Sequence, residues 1–196
     1  MAKEVEIKFR VRDLSALNRR LRALGLRLVT RRTHEMNTLY DLPGEVLRKR
    51  HELLRLRKYG STWTLTHKHG TTRRRHSSRI ELETAVANGK TMDAILLALG
   101  YRPTFRYEKF RAEWVDEKNV DGKGQGTKGH VVVDETPIGS FCEIEGPPRW
   151  IDATAKKLGV KPADYITTNY ASLFHEWKLR TGNAAKEMTF RDAGGA

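Results

Sequence analysis

The chain has 196 residues, of which 38% are hydrophobic and 31% charged, a composition typical of one globular domain with a buried core. A formal net charge of +13 favours an anionic partner, whether nucleic acid, an anionic membrane surface or a small polyanion. The single cysteine, Cys142, excludes an internal disulfide and favours a reducing compartment. No apolar run approaches the roughly 20 residues of a membrane span, and the first residues do not resemble a signal peptide. We therefore expect a cytoplasmic protein that crosses no membrane.

The first half of the chain combines one helix with several charged strands. Residues 3–11 alternate charged and apolar side chains, which predicts a strand with one face of each kind. Residues 13–25 predict a helix that Asp13 caps, that carries a stripe of leucines and that ends at Gly25. Residues 53–68 predict a hairpin, and residues 78–85 a further strand.

The second half resembles the first. A helix at 91–100 precedes strands at 105–115, 130–136 and 140–146, with a Gly- and Lys-rich loop at 116–129. Helices are predicted at 147–159 and 168–180. Either two similar halves form one antiparallel domain, or the two amphipathic helices are alike by chance. We expect a single domain over residues 1–181 and a disordered tail, small and polar, over residues 182–196.

Charges on the predicted strands occur in same-sign pairs two residues apart. The pairs are Glu4/Glu6, Arg55/Arg57, Glu81/Glu83, Lys109/Arg111 and Glu143/Glu145. One solvated sheet face explains the alternation in any single strand, but neighbours of the same sign lose the ion pairs that a surface offers. Carboxylate pairs suit hard divalent cations such as Mg²⁺, and Arg or Lys pairs suit phosphate oxygens. Brought together inside a barrel with helices outside, these faces predict a metal–polyphosphate site.

Seven segments, in order, resemble the signature of the CYTH superfamily, the triphosphate tunnel metalloenzymes. They are EVEIK (4–8), LYDLP (39–43), LLRLR (53–57), TLTHK (64–68), SRIELE (78–83), EKFR (108–111) and VVVDETPIGSFCEIEG (131–146). The segment DYITTNYASLF (164–174) is similar to the tyrosine-containing C-terminal helix of the class IV adenylyl cyclase branch. Leu42 departs from the family's usual Thr, which we expect to matter little.

The resemblance implies an α+β fold: a closed, eight-stranded antiparallel β-barrel, or tunnel, with a charged interior and helices packed outside. It implies Mg²⁺ or Mn²⁺ as the cofactor, with the metal ligands Glu4, Glu6, Asp134, Glu143 and Glu145. The triphosphate-binding residues that it implies are Lys8, Arg55, Arg57, Lys68, Lys109 and Arg111. Glu81 and Glu83 match an acidic pair assigned to a second metal or to orienting the nucleophile, and with Lys8 they are the expected catalytic residues.

These features predict a metal-dependent enzyme whose partner is a small-molecule triphosphate. The C-terminal segment favours a class IV adenylyl cyclase-like reaction, ATP to cyclic AMP and pyrophosphate. The alternative is hydrolysis of inorganic triphosphate, thiamine triphosphate or a nucleoside triphosphate. A second alternative is a non-enzymatic binder of polyphosphate or RNA, which the net charge of +13 allows. Carboxylate pairs repel phosphate unless metal intervenes, and the aromatic residues mostly oppose the charges, so nucleic acid is disfavoured. The sequence leaves open whether the protein forms a homodimer.

Three further motifs are interpreted without a catalytic role. The segment RRTHEMN (31–37) lacks the second His of HExxH, and DGKGQGTKG (121–129) lies in a hairpin, so it is a poor phosphate loop. The basic run 73–75 is interpreted as a solvated loop, although it would be able to touch phosphates. Cys142 lies on the apolar face of its strand and is assigned to the core.

Overall fold

The computed structural model describes residues 2–73, 76–116 and 129–194, and its strands close into one antiparallel barrel, as predicted. The strands are β1 (Ala2–Val11), β2 (Arg27–Asp41), β3 (Leu53–Tyr59), β4 (Thr62–Arg73), β5 (Ser77–Val86), β6 (Arg102–Asp116), β7 (Gly129–Thr136) and β8 (Gly139–Glu145). Their order around the barrel is β1-β5-β4-β3-β2-β6-β7-β8, and β8 pairs with β1. The eight-stranded α+β fold is therefore confirmed.

The helices of the described residues lie outside this barrel. They are α1 (Leu14–Ala23), α2 (Val46–Lys49), α3 (Gly89–Ala98), α4 (Pro148–Lys157) and α5 (Tyr170–Thr181), with a 3-10 turn at Pro162–Asp164. Asp13 caps α1 by accepting a hydrogen bond from the Ala16 N–H at 2.8 Å. Gly25 adopts φ +83°, a left-handed conformation that ends this helix as predicted. No helix in these ranges is long and apolar enough to cross a bilayer.

The barrel consists of two halves with the same order of elements. Each half is a strand, a helix and three strands: β1, α1 and β2 to β4, then β5, α3 and β6 to β8. Exchanging β1 with β5, β2 with β6, β3 with β7 and β4 with β8 leaves every neighbour relation around the barrel unchanged. This pseudo-two-fold arrangement agrees with the two similar halves expected from the sequence.

The hydrophobic core lies between the barrel wall and the helices. Ile7 on β1 is completely buried and packs with Leu21 of α1 and Ile151 of α4. Cys142 of β8 belongs to the same cluster, as predicted. Because apolar residues of each strand point outward to this core, the charged residues that alternate with them point into the barrel.

Strand β2 is 15 residues long, whereas the sequence predicted no strand over its first part. The pairing of β2 with β6 shifts register between Leu28 and Thr30 and again between Thr30 and Thr33. Such irregularities interrupt the period of two that identifies a strand in a sequence. The segment RRTHEMN, interpreted as having no catalytic role, therefore forms part of strand β2.

The C-terminal segment differs from the disordered tail predicted for residues 182–196. Met188 pairs with β6: its N–H donates to the Arg106 carbonyl at 3.0 Å, and its carbonyl accepts from the Glu108 N–H at 2.9 Å. Strand β7 covers β6 only from Phe110 onward, so this stretch of β6 offers a free edge. Met188 is fully buried. Residues 195–196, the loop at 117–128 and residues 74–75 of the basic run lie outside the described residues.

Candidate metal and triphosphate site

The charged faces of the strands meet in a cavity of about 410 Å³ inside the barrel. Of the predicted site residues, those lining it are Glu4, Glu6, Lys8, Arg55, Arg57, Lys68, Glu81, Glu83, Lys109, Arg111, Glu143 and Glu145. Asp134 is fully buried in the wall instead. Strand pairing therefore brings together charges that lie up to 141 residues apart in the chain, from Glu4 to Glu145.

Three carboxylates form a cluster at this cavity. Glu4 and Glu6 alternate on β1, and Glu6 lies opposite Glu145 on β8. Each offers an oxygen within 4.8 Å of the other two. Burial raises the pKa of Glu4 to about 7, although Lys68 opposes this shift, and burial and Glu143 raise the pKa of Glu6. Clustered oxygen ligands that repel one another fit a hard divalent cation, so this donor set suits Mg²⁺ or Mn²⁺.

Asp134 and Glu143, also predicted as metal ligands, are instead paired with cations. Asp134 accepts hydrogen bonds from Lys109 at 2.9 Å and from Arg111 at 2.7 Å. Glu143 lies 2.9 Å from Lys8 Nζ and 2.6 Å from Arg111 Nη2. Burial alone raises the pKa of Glu143, but these cations outweigh it and lower the pKa well below its usual value. The structure does not bring either residue into the carboxylate cluster, and their metal roles stay predictions.

The predicted triphosphate-binding cations all have carboxylate partners, which line the cavity except at Lys109, whose partners Glu35 and Asp134 are buried in the wall. Lys68 Nζ lies 2.8 Å from Glu4 and 3.0 Å from Glu81. Arg57 donates to both oxygens of Glu83, at 3.0 and 3.1 Å. Counting Arg79 and Glu113, seven lysine and arginine side chains and seven carboxylates line the cavity, together with His130. The excess of 13 positive charges therefore lies outside it.

Glu35 is a buried site residue that sequence reasoning missed. It projects from β2, is fully buried and lies 3.4 Å from Lys109 Nζ and 3.7 Å from Arg111 Nε. Burial raises the pKa of Glu35, but Lys109 and Arg111 outweigh it, so the pKa is lowered. Asn37, two residues on, donates to it at 2.9 Å. The alternation of Glu35 and Asn37 was the available signal, and the irregular pairing of β2 hides it.

Tyr170, the tyrosine of the segment that resembles the class IV adenylyl cyclase branch, also reaches the site. Its hydroxyl donates to Asp134 at 2.7 Å. Lys8 Nζ lies 4.4 Å, and Lys109 Nζ 4.9 Å, from the centre of its ring. Tyr170, the first residue of α5, thereby contacts two cations of the cavity.

His130 connects two acidic residues near the carboxylate cluster and was likewise missed. Its Nε2 lies 3.5 Å from Glu113, and its Nδ1 lies 3.3 Å from Glu145. Burial lowers the pKa of His130, but its hydrogen bonds to Glu113 and Glu145 outweigh burial and raise the pKa to about 9. His130 is thus an imidazolium near neutral pH, and it balances charge beside Glu145.

Several solved structures share this fold at low sequence identity. A candidate adenylate cyclase from Vibrio parahaemolyticus superposes with a TM-score of 0.73 and 18% identity, covering 88% of this chain and 97% of that one. A protein from Pyrococcus horikoshii OT3 superposes with a TM-score of 0.66 and 22% identity, covering 87% of this chain and 98% of that one. A candidate adenylyl cyclase from Hippeastrum with a dominant triphosphatase activity superposes with a TM-score of 0.62 and 18% identity, covering 88% of this chain and 95% of that one. Among curated proteins, none matches the chain.

At these identities the likeness to solved structures establishes the fold alone. The model of the CYTH domain matches residues 2–170, most of the chain. That span includes the barrel and every lining residue of the cavity except Ala171 of α5. The chain therefore belongs to the CYTH domain family.

Proposed function

We propose that this protein is a divalent-metal-dependent enzyme that acts on a triphosphate, and that it converts ATP into cyclic AMP and pyrophosphate. The observation that carries this proposal is the carboxylate cluster placed directly beside cations in one cavity. Lys68 lies 2.8 Å from Glu4, within the same wall that carries the Glu6 and Glu145 ligands. A cation site and a polyanion site that share a cavity suit a metal–triphosphate complex.

Binding follows from an exchange of partners. Arg57 gives up the oxygens of Glu83 for phosphate oxygens, and Lys68 does the same with Glu81. A bound Mg²⁺ or Mn²⁺ supplies neutralisation of phosphate charge. Lys109, only 2% exposed, acts where water is largely excluded, so its charge is weakly screened. Such catalysis consists mainly of positioning and electrostatic stabilisation.

An apolar corner of the cavity supports a nucleotide as the substrate. Leu39 and Leu53 line the cavity with Tyr107, and Leu39 lies opposite Arg55 in the β2–β3 pairing. Apolar side chains beside a phosphate-binding arginine suit a nucleobase better than they suit inorganic triphosphate.

We assign to Glu81 the role of orienting the attacking hydroxyl in this reaction. Burial raises its pKa, but Lys68 outweighs burial and the pKa is lowered, so the carboxylate is ionised and accepts a hydrogen bond. The 3′ hydroxyl passes its proton to the Glu81 carboxylate as its oxygen bonds to the α-phosphorus, and the bond from that phosphorus to the bridging oxygen breaks as pyrophosphate leaves.

Hydrolysis is the second candidate, favoured by the charge of the cavity. Apart from the corner of Leu39 and Leu53, charged side chains dominate the lining, and a triphosphate without a base needs nothing else. Water would then attack a phosphorus in place of the ribose hydroxyl. The Hippeastrum protein of similar fold has a dominant triphosphatase activity.

Product analysis tests both reactions. ATP and inorganic triphosphate are each incubated with the protein and Mg²⁺ or Mn²⁺, and the products are resolved by chromatography. We expect cyclic AMP and pyrophosphate from ATP, and loss of both with Glu6→Gln. Glu45→Gln, an exposed carboxylate on the outer surface, is the matched control and keeps the activity. Phosphate release from either substrate identifies the hydrolase instead. Unchanged substrates under every condition would leave only a binding protein.

A further inference from the structure

A groove of about 580 Å³ lies outside the barrel, where β1 ends and α1 begins. Its opposite side is the connection that follows α4. Its apolar floor includes Val11, Val160 and Ile166, which are half-buried, and its charged lining includes Arg10, Arg12 and Arg20. It shares no lining residue with the cavity inside the barrel. The proposed enzymatic function makes no use of it.

One edge of β1 opens into this groove. The Lys8 N–H donates to the Ile166 carbonyl at 3.2 Å, and the Ile166 N–H donates to the Lys8 carbonyl at 2.7 Å, on the side away from β8. In an antiparallel strand the backbone groups of residues two apart point to the same edge, so those of Arg10 point the same way as those of Lys8.

No neighbour covers this edge at Arg10 within the described ranges. Strand β5 pairs with β1 only along residues 2–6. The segment that contributes Ile166 would place Asp164 opposite Arg10, but it turns away in the 3-10 turn Pro162–Asp164. Among the described residues, the Arg10 N–H and carbonyl form no backbone hydrogen bond outside the regular strand pairs, and the paired strand β8 lies on the other edge of β1. A donor and an acceptor therefore lie side by side at the groove.

The groove is also positively charged. Arg20 donates to the Leu158 carbonyl at 2.9 Å, and the Arg10 guanidinium lies 4.9 Å from the Phe141 ring, so neither contact neutralises its charge. The positive end of the α1 dipole adds to these charges.

The two aspartates in the lining already accept backbone hydrogen bonds. Asp13 accepts from the Ala16 N–H at 2.8 Å, and Asp164 accepts from the Lys161 N–H at 2.9 Å. They reduce the positive charge of the groove but do not cancel its three arginines. An anionic ligand is therefore the complementary one.

We propose that this groove binds an extended acidic peptide segment of a partner protein, added as a strand to the edge of β1. A peptide offers both a carbonyl for the Arg10 N–H and an N–H for the Arg10 carbonyl, whereas a phosphate ion only accepts. Alternate side chains of a strand face opposite ways. One set packs on Val11, Val160 and Ile166, and acidic side chains of the other set meet Arg12 and Arg20.

A labelled peptide with alternating Glu and Val tests this proposal by fluorescence anisotropy on the full chain. We expect saturable binding that Arg12→Glu weakens about tenfold or more. Arg19→Glu is the matched control, because this exposed arginine of α1 does not line the groove, and it should leave affinity unchanged beyond a small general charge effect. Methylating the central peptide nitrogens removes the N–H groups and should weaken binding by a similar factor. Arg12→Gln serves as the second variant if Arg12→Glu perturbs folding.

A competition arm separates this proposal from the proposed function. Saturating inorganic triphosphate with Mg²⁺ should not displace the peptide, and Arg57→Ala should bind it normally, because both act inside the barrel. Displacement by triphosphate would place the peptide in the cavity and overturn the proposal. Equal affinity for the N-methylated peptide would mean simple polyanion attraction, and absence of saturable binding, or equal effects of Arg12→Glu and Arg19→Glu, would also refute it.

Discussion

Proton competition at Glu4 should make metal binding strongly dependent on pH. Burial and the neighbouring carboxylates raise the pKa of Glu4 to about 7, and the pKa of Glu6 is raised as well. A carboxylate binds a metal ion only when it is ionised, so below this pKa the metal must displace a proton. Metal affinity should therefore rise with pH up to about 7 and level off above it.

The size of the effect follows from the fraction of Glu4 that is ionised. With a pKa of about 7, this fraction is roughly one tenth at pH 6 and roughly one hundredth at pH 5. One competing proton thus weakens apparent affinity about tenfold per pH unit, or about 100-fold between the plateau and pH 5. A proton on Glu6 makes the slope steeper. The Glu4→Gln variant should bind metal more weakly, and its metal binding should release one proton fewer, so that its affinity depends less steeply on pH.

Calorimetric titration of the apo protein with Mn²⁺ between pH 5 and pH 8.5 measures this dependence. Repeating each titration in buffers with different ionisation enthalpies counts the protons released. Glu45→Gln, whose carboxylate is exposed, should reproduce the wild-type curve. An affinity that stays constant from pH 5 to pH 8 would refute the reasoning, because it would mean that Glu4 is already ionised or is not a ligand.

Four further predictions concern the cations of the cavity and the packing around the barrel. Arg57→Ala should raise KM and lower kcat, and Arg57→Lys should restore only part of the loss because lysine cannot bind two oxygens in the same geometry; unchanged steady-state kinetics would contradict this. Ile7→Ala should lower the free energy of unfolding by about 2–5 kcal/mol yet keep the thermal shift produced by inorganic triphosphate with Mg²⁺. Lys8→Ala breaks the buried ion pair with Glu143, and this variant should lose most of the thermal shift that triphosphate produces. If both variants keep the thermal shift, Lys8 does not hold the triphosphate. Met188→Ala should cost about 2–5 kcal/mol in chemical denaturation, whereas the exposed control Lys186→Ala should cost almost nothing, and equal effects would mean that the C-terminal segment is not packed.

Strand parity was readable from the sequence wherever the strands are regular. Ile7 and Lys8 are neighbours in the chain, yet one lies in the core and the other in the cavity, as the alternation predicted. The same reasoning failed on β2, where register shifts before Thr33 place Glu35 and Asn37 inward without a clean alternation. It failed again at Met188, because its burial depends on a free edge of β6 that no local pattern reveals.

Residue type alone also did not show which carboxylates would cluster and which would pair with cations. Asp134 lies opposite Arg111 across β6 and β7, and Glu143 lies opposite Lys8 across β1 and β8. Glu6 lies opposite Glu145, so this pair has like charges instead. Which carboxylates cluster is decided by cross-strand register, and register is a property of the assembled barrel.

Closure of the barrel has a consequence for how the protein is made. The carboxylate cluster combines Glu4 and Glu6 from the first strand with Glu145 from the last, so it forms only when β1 pairs with β8. A nascent chain that has not yet emerged beyond β8 carries two of the three carboxylates of the cluster and an open sheet. Pairing between such distant segments is slow to form. Metal capture is therefore expected only after the whole barrel has been synthesised, and metal would then hold the two ends of the sheet together.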